Sequence, residues 1–113
     1  MMTDIYSGYG WRRTAVGSCS DGTIYSGCGW GKSIIGSYSE GGIYSGYGWS
    51  KTYIGSYKDG DVYFGSGWSK THVGSYKGGY IYSGHGMGKT LLGTYDGVDG
   101  GAAAAALLLL INK

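Results

Sequence analysis

The chain has no proline, a single phenylalanine, only two cysteines and little charge, with 14% of its 113 residues charged. Without proline, every reversal of direction must be made by glycine and short polar residues. Cys19 and Cys28 form neither a CxxC pair nor a metal-ligand spacing, which argues against a disulfide framework or a zinc site. Each stands where other repeats carry tyrosine, so both are read as reduced thiols filling side-chain positions. Formal charge is +2 and the basic residues are dispersed along the chain, so the basic cluster of a nucleic-acid binder is missing. No apolar run reaches the roughly 20 residues of a transmembrane helix; the longest, Ala102–Ile111, would be about 15 Å long. Met1–Ile5 has neither a basic nor an apolar region of the kind that opens a signal peptide, which makes a cytoplasmic location the expectation.

What is abundant is glycine, 26 residues, and tyrosine, 13, together with 4 tryptophans. By composition alone this could be a low-complexity chain. The order of the residues says otherwise. Aligned at Ile5, Ile24, Ile43, Val62 and Ile81, the chain is five copies of a 19-residue unit, 5–23, 24–42, 43–61, 62–80 and 81–99, within one domain spanning 1–113. Tyr6, Tyr25, Tyr44, Tyr63 and Tyr82 share one column, and Trp11, Trp30, Trp49, Trp68 and Met87 another. Short runs rich in Tyr, Ile, Val, Thr and Trp between Gly, Asp and Ser clusters read as two strands per unit.

Tyr44-Ser45-Gly46 read forward matches Tyr57-Ser56-Gly55 read backward, the symmetry of a hairpin. A two-residue turn at Ser50 and Lys51 would set Tyr44 opposite Tyr57. A three-residue loop at Asp59, Gly60 and Asp61 would set Tyr57 opposite Tyr63, and one even and one odd loop would explain the odd period. The alternative, a parallel β-solenoid, would stack Arg13, Lys32, Lys51, Lys70 and Lys89 about 4.8 Å apart. Period-two alternation then predicts one face bearing a continuous tyrosine row, Tyr38, Tyr57, Tyr76 and Tyr95 included, with Cys19 substituting once. That face would also hold a glycine row and the variable positions Ala15, Ile34, Tyr53, His72 and Leu91. The other face, with the Ile5 column, the serines, Val16, Ile35, Ile54, Val73, Leu92 and the Trp column, is the expected core.

Gly100-Gly101 then introduce Ala102–Ala106 and Leu107–Ile111, strong helix formers that are apolar on every side and therefore call for burial all round. The fold expected is all-β: ten short antiparallel strands in a meander, closed as a barrel of about 10 Å radius around a C-terminal helix over 102–111. An open sheet with the helix packed on one face is the alternative.

Little here points to chemistry. Gly84–Thr90 and Gly27–Ser33 resemble a phosphate-binding loop but fall one residue short of its spacing and are not followed by a helix. His72 and His85 occupy variable columns without partners of matching type. Asp21, Glu40 and Asp59 sit where turns ask for them. No catalytic, cofactor or metal residues are therefore assigned. The expected role is a non-catalytic structural or interaction scaffold, self-associating or binding a protein. The alternative is a module whose exposed aromatics bind glycans or lipid headgroups, and the candidate surface is Tyr6, Tyr25, Tyr44, Tyr63, Tyr82, Tyr53 and His72.

Gly55-Ser56-Tyr57-Lys58-Asp59-Gly60-Asp61-Val62-Tyr63-Phe64-Gly65 resembles the core of MORN repeats, which are also antiparallel hairpins, and the likeness recurs through most of 5–95. It implies scaffolding, self-association or lipid-headgroup contact and no catalysis. A weaker likeness, to Gly-Trp and Tyr-rich cell-wall-binding repeats, implies glycan or choline binding.

Overall fold

In a computed structural model the chain forms a closed ten-stranded antiparallel barrel threaded by its own C-terminal helix. The structure describes residues 2–8, 10–27, 31–46, 48–65, 67, 70–84 and 88–111. The strands are β1 (Met2–Ser7), β2 (Thr14–Ser20), β3 (Thr23–Ser26), β4 (Ser33–Ser39), β5 (Gly42–Ser45), β6 (Thr52–Lys58), β7 (Asp61–Phe64), β8 (Thr71–Lys77), β9 (Tyr80–Ser83) and β10 (Thr90–Asp96). Each pairs with its neighbours in sequence, and β10 closes on β1. Ile5 pairs with Tyr95 across that seam as Ile43 pairs with Tyr38 inside the meander, so closure continues the repeat register without a break. It also removes both sheet edges. The molecule is a flattened ring of 39 × 39 × 22 Å.

The hairpin register differs from the one the palindrome suggests. Tyr44 pairs with Tyr53 and Ile43 with Gly55, leaving a six-residue loop, Gly46–Lys51, in place of a two-residue turn. Gly48–Ser50 form a short 3-10 turn within it. Tyr57 pairs with Val62 and Lys58 with Asp61, so the inter-repeat connection is only Asp59-Gly60, not three residues. Positive φ at both residues, 51° and 89°, makes it a type I′ turn, the two-residue connection whose twist matches a hairpin. Both connections are therefore even. The odd period comes from a β-bulge between the two, where Ile54 is passed over in the pairing, and the same shift recurs in all five hairpins.

The bulge also redistributes the faces. Val16, Ile35, Ile54, Val73 and Leu92 pack against the core as expected, but the glycine that follows each now points inward with them, and Tyr38, Tyr57, Tyr76 and Tyr95 are carried to the inside as well. Tyr6, Tyr25, Tyr44, Tyr63 and Tyr82 stay outside. The single tyrosine face is thus two rows on opposite sides of the wall. Trp11 and Trp49, expected in the core, are fully exposed, and Ser18, Ser37, Ser56 and Ser75 lie opposite the outer tyrosines, whereas Ser45 borders the apolar opening beside Ile54. Trp30, Trp68 and Met87 lie outside the described residues.

The interior is filled by a fully buried ring of Ile5, Ile24, Ile43, Val62 and Ile81 around the helix, α1 (Gly100–Ile111), whose alanines 102–106 have no exposed surface. The helix begins at Gly100, two residues before the predicted start, with Ala103 N donating to Asp99 O at 2.9 Å, and both positions are glycine because the Tyr95 ring lies where a Cβ of Gly100 would be and the Tyr57 ring where one of Gly101 would be. Toward the other end, Ala106–Ile111 relax to the wider π-helical winding. Five successive side chains there meet five successive hairpins: Leu107 faces Gly93, Leu108 Gly74, Leu109 Gly55, Leu110 Gly36 and Ile111 Gly17. An α-helix turns about 100° per residue. The π winding turns less, nearer the fifth of a turn that separates hairpins.

Gly55 shows why that column is glycine: a Cβ there would meet the Tyr63 carbonyl and would sit 2.7 Å from Leu109 Cδ1. Gly55→Ala is expected to destabilise by roughly 1–3 kcal/mol. Gly31→Ala, where the space is open and φ is not positive, should leave thermal stability within about 0.5 kcal/mol. Denaturant titration of the two variants side by side checks this.

Candidate interaction surface

The barrel has two unlike ends. The six-residue loops leave one end and the type I′ turns the other, and the strands between them set the outer wall.

On the wall, the outer tyrosine of every hairpin lies under the cation seven residues further on. Arg13 Cζ stands 4.0 Å from the Tyr6 ring centroid, and Lys32, Lys51, Lys70 and Lys89 stand 4.5, 4.6, 4.6 and 4.5 Å from Tyr25, Tyr44, Tyr63 and Tyr82. At an exposed site each such contact contributes about 0.5–1 kcal/mol and holds the loop back against the wall. Lys32 and Lys89, the lysines of the two stretches resembling phosphate loops, are occupied in this way.

All the candidate residues named from the sequence lie on this outer wall, and cross-strand pairing joins the last two to the row. Tyr53 packs edge-on to Tyr44 with centroids 5.5 Å apart, and His72 is tilted over Tyr63 at 5.4 Å. His72 also has an acidic partner, contrary to the sequence reading: its Nε2 is 3.0 Å from Asp61 Oδ1. The pairing places Tyr63 opposite His72 and Asp61 opposite Ser75, so imidazole and carboxylate meet diagonally across β7 and β8. His85 and Cys28 lie outside the described residues. Shallow grooves recur between adjacent hairpins. One is bordered by Glu40, Ser56, Asp59, Asp61, Tyr63 and Lys70, and the next by Asp59, Ser75, Tyr76, Tyr80, Tyr82 and Lys89, so each joins acidic and basic groups.

Charge is interleaved along the wall. The chain has seven carboxylates: Asp21, Glu40 and Asp59 in the turns, with Asp4, Asp61, Asp96 and Asp99 in or beside the strand ends that adjoin them. Arg12, Arg13, Lys32, Lys51, Lys70 and Lys89 belong to the six-residue loops, but Lys70 lies over Tyr63 in the groove that also holds Glu40, Asp59 and Asp61, and Lys89 over Tyr82 in the next, which holds Asp59; Lys58 and Lys77 flank the turns. The loop end is the apolar one. Beside fully exposed Trp11 and Trp49, an opening lined by Phe64, Ile54, Val73 and Leu108–Leu110 leaves the leucine end of α1 half-covered.

At the turn end, Gly97–Asp99 carry the chain into the barrel over β1. Asp99 N donates to Thr3 Oγ1 at 2.9 Å, and Tyr38 OH donates to Asp99 Oδ2 at 3.0 Å. Thr3 pairs with Cys19, the position that is tyrosine in every other hairpin, so the small thiol sits where the linker enters. Burial, with the nearby Asp99 carboxylate, raises the Cys19 thiol to about 12, and burial raises the Tyr57 hydroxyl to about 12 as well. No group of three or more His, Cys, Asp or Glu among the described residues is placed to hold a metal ion, and no helix among them is long and apolar enough to cross a membrane. Compared with protein-family models, with curated proteins and with solved structures, the chain matches none.

The sequence reading missed the Tyr–cation pairs. Their signal was present as the constant spacing of seven between Tyr44 and Lys51 and its equivalents, but only a folded-back six-residue loop converts that spacing into contact.

The raised Cys19 and Tyr57 groups fix a pH dependence. Both are neutral in the native state beyond the pH at which the unfolded chain ionises, ordinarily 9.0 for the thiol and 10.0 for the phenol. The unfolded chain then binds fewer protons than the native one, so stability present below pH 9 is lost as pH rises toward 12. Thermal melts from pH 7 to 11 should show a falling Tm above pH 9. In a Cys28→Ser background, Cys19 should resist a thiol reagent until the protein unfolds.

Proposed function

We propose that the chain is a non-catalytic interaction scaffold whose working surface is the outer wall. The observation that carries this is the fivefold repetition of one Tyr–cation unit around a barrel whose interior is occupied by its own helix. Among the described residues the interior is taken up by the helix, so the wall is the surface that repeats toward a partner. A wall of identical aromatic steps offers a partner several equal contacts, which gains affinity by multivalency without any one step being strong. Amphipathic tyrosines suit protein contact, supplying area with little entropy to lose.

A second reading, ligand binding by exposed aromatics, is favoured by one departure from the repetition. Asp61, Tyr63 and His72 combine a carboxylate, a phenol and an imidazole on one patch of the fourth hairpin, the mixture that hydrogen-bonds and stacks on a sugar or a headgroup.

The two readings separate on variants that leave the core untouched. In Tyr44→Ser/Tyr82→Ser the row is broken but Asp61 and His72 remain, whereas His72→Ser removes only the unique patch. Both should keep native circular dichroism, the first losing about 1–2 kcal/mol with its two cation–π contacts and the second no more than about 1 kcal/mol. Crosslinking to proteins of the source cell should be lost in the first variant and kept in the second. Binding on a glycan panel that disappears with His72→Ser and survives the row variant would instead establish the ligand-binding reading.

A further inference from the structure

The outer wall leaves the loop end without a role, and that end is apolar at its rim and at its centre. At the rim, Trp11 and Trp49 stand in equivalent loops, each in a 3-10 turn opened by a glycine of positive φ, Gly10 at 63° and Gly48 at 64°, and each ring is fully exposed. All four tryptophans of the chain, with Met87, fall at this place in the sequence repeat. The loops run between equivalent strand residues and closure keeps the repeat register, so the strand ends that carry them stand level in a molecule 39 Å wide. At the centre, an opening of about 400 Å³ is lined by Ile54, Phe64, Val73 and Leu108–Leu110. Phe64, 54% exposed, stands where the other four hairpins have Ser7, Ser26, Ser45 and Ser83, so this hairpin adds apolar surface to the mouth.

We propose that this end docks on the surface of a phospholipid bilayer, with Trp11 and Trp49 at the boundary between headgroups and acyl chains and with Phe64 and the leucine end of α1 turned toward the chains. Three observations favour a bilayer over a protein partner or a second copy. The first is chemistry: indole is a large apolar ring with one N–H donor, and it settles where an apolar layer meets water. The second is shape. Level, repeated loops around an apolar centre give a protein partner no unique contour to match, whereas a fluid bilayer receives them in any rotation about the barrel axis. The third is charge. The five loops, 8–13, 27–32, 46–51, 65–70 and 84–89, contain Arg or Lys but no Asp or Glu. Arg13 and the loop lysines are folded back on the wall tyrosines, but Arg12, next to Trp11, is exposed and makes no ion pair or ring contact among the described residues. It is placed to take a lipid phosphate, and a second copy set loop end to loop end would oppose cation with cation. Such a contact is interfacial and needs no spanning segment. It leaves the outer wall, the surface of the scaffold reading, facing water.

Tryptophan emission reads the loop end directly, because the chain has no tryptophan outside these loops. Vesicles of phosphatidylcholine and phosphatidylserine should carry the full chain upward in a flotation gradient and shift its tryptophan emission to the blue. Phosphatidylcholine brominated in its acyl chains should quench that emission. Trp11→Ser/Trp49→Ser changes only fully exposed side chains and should weaken vesicle binding by about tenfold or more without altering the melt. Phe64→Ser installs the residue that the other four hairpins carry, so it should keep native circular dichroism while binding vesicles more weakly than the wild type.

A wild-type chain that does not float, or that floats with its emission unquenched by the brominated chains, would overturn the proposal. So would a Trp11→Ser/Trp49→Ser variant that binds vesicles as the wild type does. A tryptophan-dependent dimer in sedimentation velocity that stays off the vesicles would give the loop end to a second copy instead. His72→Ser leaves the loops intact and should float like the wild type; its failure to float would move the lipid contact to the wall and sink the loop-end assignment. The scaffold reading is tested separately, by the crosslinking that Tyr44→Ser/Tyr82→Ser should abolish, and that measurement uses no vesicles.

Discussion

The structure depends on one constraint: a closed ten-stranded wall has an interior that must be filled, and the only apolar segment left over is the C-terminal helix. Protein interiors are packed to crystal-like density, so an empty barrel of this width would forfeit the contacts of its whole inner face. The repeat supplies the wall five times, but it supplies side chains long enough to reach the axis only at the turn end, where Tyr57, Tyr76 and Tyr95 crowd around Gly100 and Gly101 and Tyr38 reaches Asp99. Elsewhere the wall offers an Ile or Val ring and a glycine column. The helix answers each region in turn, with glycine under the tyrosines, alanine through the middle and leucine against the glycines.

Matching a helix to a fivefold wall is a problem of symmetry as well as volume. The change to π winding at Ala106 resolves it locally, since successive leucines then address successive hairpins. The cost is a less favourable backbone geometry, offset by five equivalent contacts. The first hairpin breaks the symmetry where it must. Cys19 gives room, Thr3 accepts a hydrogen bond from the linker, and Asp99 ties that linker to Tyr38 across the mouth.

The outside follows from the inside. Once the bulge fixes the Ile and Gly columns inward, the first tyrosine of each unit must face outward, and the loop that follows folds back to place its cation on that ring. The charge follows the same repetition. Three of the four type I′ turns take Asp or Glu ahead of Gly, and each six-residue loop ends in Lys or Arg, which folds back over the outer tyrosine and, at Lys70 and Lys89, into grooves shared with those acidic residues.

Period, strand count, antiparallel meander, closure and the apolar helix were all legible in the sequence, because each rests on a regularity of one chain segment: a 19-residue recurrence, β-branched and aromatic runs, and an Ala-Leu block too short for a membrane and too apolar for solvent. Register was not. The palindrome around Ser50 and Lys51 paired Tyr44 with Tyr57, while the Asp59-Gly60 dipeptide, the stronger local signal for a two-residue turn, set Lys58 against Asp61 and required the bulge at Ile54. A bulge leaves no mark in composition; it is decided by which arrangement lets Gly55 meet Leu109 and puts Ile54 inside. Because one inserted residue reverses every side chain beyond it, that single tertiary choice divided the tyrosines into an inner and an outer row and sent Trp11 and Trp49 to the solvent. The sequence by itself thus determined the elements and their order, through local propensity and repetition. Which side of the wall each residue occupies was decided only when the wall closed on the helix, since packing against the axis, and not alternation along a strand, selects the register.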